Sequence, residues 1–295
     1  MKRFLIILIC ISMLFTLAAC GGSDTGDNGD AGQTGETKTV KMGYVNWAEG
    51  VAMTYLAKAI LEDKMGYDVE ATMADVAPIF TSLASGNTDV FVDTWLPVTH
   101  ASQMERFGDD IDDLGVVVEN AFIGLVVPSY VEANSIEDLN DYVDEFGGEI
   151  IGIDSGAGIM EATERAIEEY GLNYKLLSGS GPTMTAALAK AIDSEEAIVV
   201  TGWAPHWKFA RYDLKRLEDP KGVYGDVERI NISARKGFAD DMPEVAEFFS
   251  NYKFTDEQLG SLMGAIEDHS GEPIEAAREW MHENEELVNS WLPGQ

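Results

Sequence analysis

The sequence predicts an α/β fold of two lobes with a ligand cleft between them. Three observations carry this. Short β-rich runs alternate with segments of helical period, the rhythm of a parallel sheet. The alternation occurs twice, over residues 40–93 and again over residues 149–201. With 295 residues, 45% of them hydrophobic, the chain can fill one large domain or two of ordinary size. Two such lobes joined by crossing segments leave a cleft where they meet.

The N-terminus reads as a targeting segment outside the fold. Lys2 and Arg3 precede an apolar run, Phe4–Leu17, that is too short for a stable membrane span. Leu17-Ala18-Ala19-Cys20-Gly21 then resembles a bacterial lipobox, which implies lipid on Cys20; an ordinary signal peptide is the alternative. Cys10 lies in the part that would be removed, so neither a disulfide nor a cysteine metal site is expected. Residues 21–37, rich in Gly, Asp and Thr, read as a flexible acidic tether. The expected organisation is therefore a lipoprotein signal over 1–20, the tether over 21–37, a first lobe from 38–126 with 228–295, and a second lobe over 127–227.

Val40–Val45 alternates as a strand and runs into Asn46-Trp47-Ala48-Glu49-Gly50. A helix follows over Val51–Lys64, with Val51, Tyr55, Leu56, Ala59 and Ile60 at helical spacing. Tyr67–Met73 is a strand, and Val76–Ala84 a helix with Asp75 as its N-cap. Thr88–Asp93 is the third strand and leads into Trp95; Pro97 then turns the chain out of the sheet. Phe122–Val127 is an apolar strand stopped by Pro128, and Ser135 opens a short helix with a capping box. In the second half, the strand Glu149–Ile153 enters the Gly-rich turn Asp154–Ile159, and a helix spans Met160–Tyr170. A strand Leu176–Ser180, a helix Pro182–Asp193 and a strand Ala197–Thr201 follow, the last running into Gly202-Trp203-Ala204-Pro205-His206-Trp207. The strand Ile230–Ala234 and helices over Met242–Asn251, Asp256–Asp268 and Pro273–Asn289 return to cover the first lobe, with Trp280 and Trp291 in packing roles.

The formal charge of −32 repels polyanions, so nucleic acid is not an expected partner. Enzymatic motifs are missing: there is no G-x-S-x-G and no H-E-x-x-H, and His100, His206, His269 and His282 are scattered. No cofactor or metal is expected.

Trp47, Trp95 and Trp203 each follow a strand, on the edge where α/β sheets bind ligands. Taken singly, each is as well explained by capping the core. Taken together they can form a cage whose aromatic faces attract a quaternary ammonium. Such a cation donates no hydrogen bond, so apolar walls desolvate it without leaving a polar group unpaired. The turn at Gly156–Ile159 opens a helix and offers free N–H groups at the positive end of its dipole, a geometry that suits a carboxylate. A simple tight turn is the alternative there. His100 is a further donor on the Trp95 loop. Cage plus anion site describes a zwitterion such as a betaine.

Four segments resemble the glycine betaine-binding lipoproteins of ABC importers: Gly43-Tyr44-Val45-Asn46-Trp47; Trp95-Leu96-Pro97-Val98-Thr99-His100; Gly152–Met160; and Thr201–Trp207. The resemblance implies a bilobal periplasmic-binding-protein fold (type II) that closes on its ligand. It implies a trimethylammonium site at Trp47, Trp95 and Trp203, and a carboxylate site at the N–H groups of Gly158 and Ile159 and at His100. It further implies a lipid-anchored monomer at the outer face of the membrane that hands glycine betaine or proline betaine to an ABC permease. Glu49 stands where choline-binding relatives carry an acid beside the cation, so choline or carnitine is the alternative ligand; His100 favours a betaine. A surface enzyme acting on a methylammonium compound is the reading from another class.

Overall fold

In the computed structural model, residues 38–294 are described; Cys20 and the tether over 21–37 lie outside them. The order is β1 (Thr39–Tyr44), α1 (Ala48–Asp63), β2 (Asp68–Met73), α2 (Val76–Ala84), β3 (Val90–Leu96), α3 (Ala101–Phe107) and β4 (Ile111–Pro128). Then come β5 (Glu149–Ile151), α4 (Gly158–Tyr170), β6 (Lys175–Leu177), α5 (Gly181–Asp193), β7 (Val200–Ala204), α6 (Lys208–Arg211) and β8 (Leu214–Arg216). The chain returns through β9 (Glu228–Arg235), α7 (Phe238–Asp241), α8 (Pro243–Asn251), α9 (Asp256–Asp268), α10 (Pro273–Glu283) and α11 (Glu285–Trp291). Short helical turns at Gly108–Asp110 and Ile136–Tyr142 complete it.

The strands order as β2-β1-β3-β9-β4-β7-β5-β6, with β8 on β4. β1 pairs in parallel with β2 and β3, so the ends of β1 and β3 that lead to Trp47 and Trp95 lie on one edge. β5 pairs in parallel with β6 and β7, the same arrangement in the second half. The halves are joined by β4, an 18-residue strand whose first part pairs with β9 and whose last part, Phe122–Val126, pairs with β7. Asn120, with φ 59°, sits where β4 changes partner.

Several boundaries differ from the expected ones. β4 extends well before Phe122, because Ile111–Ala121 also pairs with β9. α3, which follows His100, and β8 are elements the pattern did not reveal. β3 runs on to Leu96 and β7 starts only at Val200, so Trp95 and Trp203 stand inside strands rather than beyond them. The strand expected over Leu176–Ser180 is only Lys175–Leu177. The long C-terminal helix is two, because the backbone at Asn284 (φ −116°, ψ 35°) leaves helical geometry between α10 and α11.

Local chemistry explains the elements that did match. Ser135 and Asp138 form the expected capping box, and Ser180 and Thr255 begin α5 and α9 in the same way. β3 and β9 are buried over nearly their whole length, as central strands must be. Trp280 and Trp291 are buried in the helical layer, Trp280 donating to Ser261 and Trp291 packing against Tyr252 and Phe254.

Candidate functional site

Three different elements deliver the three tryptophans. Trp47 is the N-cap of α1, Trp95 the last residue but one of β3, and Trp203 the last but one of β7. All are buried, and all line a single small cavity together with Glu49, Thr99, Ile123, Ile153, Gly158 and Ile159. A larger cavity of about 340 Å³ opens beside Trp47, walled by Pro182, Trp207, Tyr212 and Glu267. It contains neither Trp95, Trp203 nor the start of α4, so the small cavity is the one that joins the sequence-predicted residues.

Each indole N–H ends on a carboxylate. Trp95 Nε1 donates to Asp93 Oδ1 at 2.8 Å, Trp203 Nε1 to Glu49 Oε2 at 2.8 Å, and Trp47 Nε1 to Asp154 Oδ2 at 3.3 Å. An indole with its N–H so fixed is held in one orientation. Two of these bonds cross between the halves of the sheet: Trp47 reaches Asp154 after β5, and Trp203 on β7 reaches Glu49 on α1. Glu49 was singled out by the sequence; Asp93 and Asp154 were not.

The opposite wall is the start of α4. Gly158 and Ile159 are its first two residues, and their N–H groups find no acceptor among the described residues. Gly158 is so close to the Trp95 loop that a Cβ there would lie 1.9 Å from the Thr99 carbonyl oxygen. The loop itself is pinned by Glu228 at the start of β9, whose Oε1 accepts from the N–H of Val98 and of Thr99 at 2.8 Å each. No sequence signal marked Glu228, since a lone Glu before a strand has no pattern.

His100 is fully buried and does not line this cavity; it stacks on Trp47 with 6.1 Å between ring centres. Its Nδ1 accepts the Trp95 backbone N–H at 2.9 Å. Burial lowers its pKa to about 3, so the ring is neutral. Its Nε2 is buried without a partner among the described residues.

Burial also governs the charged groups. It raises Glu49 to about 7, against the bond from Trp203 and the charge of Lys208. It pushes the Asp93 carboxyl up as well, aided by the charge of Glu49. Lys208, fully buried, is lowered to about 7, with Glu49 opposing that shift; its Nζ lies 4.3 Å from the Trp203 ring centre. His206 packs edge-on against Trp203, and its Nδ1 accepts the backbone N–H of Lys208 at 3.1 Å.

Residues 38–283 match the family described as the substrate binding domain of ABC-type glycine betaine transport system. The glycine betaine/carnitine transport binding protein GbuC of Listeria monocytogenes is 43% identical over 148 residues. That stretch is 49% of this chain and 49% of that protein, so the match spans about half the length of the curated relative. Lactococcal OpuAC, solved in a closed-liganded conformation complexed with glycine betaine, aligns with a TM-score of 0.81 at 37% identity, covering 86% of this chain and 99% of that one. The glycine/betaine/L-proline-binding protein ProX of Borrelia burgdorferi aligns with a TM-score of 0.83 at 36% identity, covering 87% and 97%. An ABC-transporter choline binding protein in complex with choline aligns with a TM-score of 0.79 at 26% identity, covering 87% and 92%.

Proposed function

The chain belongs to the family of substrate-binding domains of ABC-type glycine betaine transport systems, and from that premise we propose that it is an extracytoplasmic receptor for glycine betaine. Proline betaine is its second ligand, and an ABC permease receives the cargo for osmoprotection. The observation that supports this most is the convergence of Trp47, Trp95, Trp203 and the first N–H groups of α4 on one cavity.

The indole faces take the trimethylammonium, each contributing ~0.5–2 kcal/mol, the more so where water is excluded. The carboxylate goes to the N–H groups of Gly158 and Ile159 and to His100. With Nδ1 accepting, the proton of neutral His100 sits on Nε2, a donor that needs an acceptor. A betaine brings that acceptor as an anion; choline does not. Residues 38–126 with 228–295 form one lobe and 127–227 the other, and they close on the ligand through the bonds of Trp47 to Asp154 and Trp203 to Glu49. A monomer, held at the membrane by lipid on Cys20, suffices for this task.

Calorimetric titration of the full chain with glycine betaine tests the assignment. Saturable one-to-one binding is expected; no binding at millimolar ligand overturns it.

A further inference from the structure

The cage is backed by two carboxylates, Glu49 on its lining and Asp93 behind it. Asp93 and Glu49 are buried, and each holds the indole N–H of one cage wall. Neither forms an ion pair among the described residues. Asp93 Oδ2 is buried and unpartnered, and it faces Gly50, where a Cβ would come within 2.7 Å of it. Glu49 and Gly50 belong to the first turn of α1, a 16-residue helix whose dipole favours negative charge there. The one buried ammonium nearby, among the described residues, is that of Lys208, over the Trp203 ring.

The other titratable groups add no positive charge to this balance. His100 and His206 are kept neutral by burial. Glu228 is satisfied by the two N–H groups and the hydroxyl of the Val98–Thr99 loop. Asp154, behind Trp47, is only half-buried and is screened by water. The two carboxylates that hold cage indoles, with Glu228 buried beside them, therefore stand against one buried ammonium among the described residues.

We propose that Asp93 is a specificity-setting residue of the cage: with Glu49, and against Lys208, it leaves the cage with one negative charge in excess. A single quaternary ammonium completes the set, and an uncharged isostere does not. Asp93 acts through Trp95, which it holds; Glu49 acts on the cavity directly. Burial opposes ionisation of both acids in the empty pocket, and an arriving cation reverses that opposition. The inference rests on the function proposed above and names a residue beyond it.

The test uses two near-isosteric variants of the full chain, titrated at neutral pH with glycine betaine and with tetramethylammonium, a cation that lacks the carboxylate. Asp93→Asn keeps an acceptor for the Trp95 N–H and removes the charge. It should weaken both ligands by the same factor, roughly tenfold. Lys208→Met removes the opposing charge and should tighten both. The proposal is overturned if Asp93→Asn leaves affinity unchanged, if it weakens glycine betaine alone, or if Lys208→Met weakens binding as Asp93→Asn does. Should Lys208→Met not fold, Asp93→Asn decides alone. If the unmodified chain binds neither ligand, the proposed function falls; if it binds both and the variants fail as described, only this inference falls.

Discussion

The Nδ1 of His100 accepts the backbone N–H of Trp95 at 2.9 Å, which ties the tautomer of the histidine to the strand that carries the cage. The proton must then sit on Nε2, buried and without a partner among the described residues. A carboxylate that reaches it gains a donor already stripped of water. His100→Ala should therefore weaken glycine betaine by at least tenfold, ~1.4 kcal/mol, and choline by less. Parallel titrations with the two ligands check this. Equal losses would remove His100 from carboxylate recognition.

Trp95→Ala should abolish measurable binding. It removes a ring face, unpairs Asp93 and opens the cavity to water at one stroke. Trp95→Phe keeps the face but not the N–H, and should retain part of the affinity. Fluorescence titration of both variants ranks them; equal affinity in the two would mean that the aromatic face is not what holds the cation.

Gly158→Ala should separate binding from folding. The added Cβ would lie 1.9 Å from the Thr99 carbonyl oxygen, a clash that forces the Thr99 loop and the start of α4 apart. Far-ultraviolet circular dichroism should stay unchanged while affinity for glycine betaine is lost. Retained affinity would show that Gly158 and Thr99 need not approach for capture.

The stability of the ligand-free chain depends on pH through Glu49, Asp93 and Lys208. Glu49 is raised in the folded state from 4.5 to about 7, so the folded chain holds that proton more tightly than the unfolded one. Its contribution to stability is full below the unfolded value and is lost as pH rises through about 7. Asp93, also raised, acts in the same direction. Lys208 is lowered from 10.5 to about 7, so its contribution is lost as pH falls through that same region from the alkaline side. Glu49→Gln should gain in melting temperature over the parent as pH rises from about 5 to about 8, and the thermal shift on adding betaine should grow over the same range. A pH-independent difference would contradict the buried charge.

Much of the fold was legible because its first and second halves repeat a simple pattern. Val40–Val45 and the helix after it could be read from period alone. β4 could not be read in full, because its pairing with β9 shifts register between Asp113 and Gly115, between Val116 and Val118, and between Val118 and Ala121. Each shift breaks the two-residue alternation that marks a strand. The tryptophans were visible because Trp followed by a Pro-bearing loop recurs at Trp95 and Trp203. What stands behind them was not. Asp93 and Asp154 look like ordinary acids in a chain of charge −32, and only folding brings Asp154 to Trp47, 107 positions away. His100 was found as a donor, but its buried place depends on contacts with Phe80 and Trp47 that no local pattern encodes.

The most direct test of cage and carboxylate site acting together is competitive calorimetry of the full chain with glycine betaine, proline betaine, carnitine and choline. Glycine betaine should bind more tightly than choline by at least tenfold, ~1.4 kcal/mol, because only it offers an anion to Gly158, Ile159 and His100. Choline binding more tightly than glycine betaine by the same factor would contradict the betaine assignment and leave Glu49 as the residue that selects the ligand.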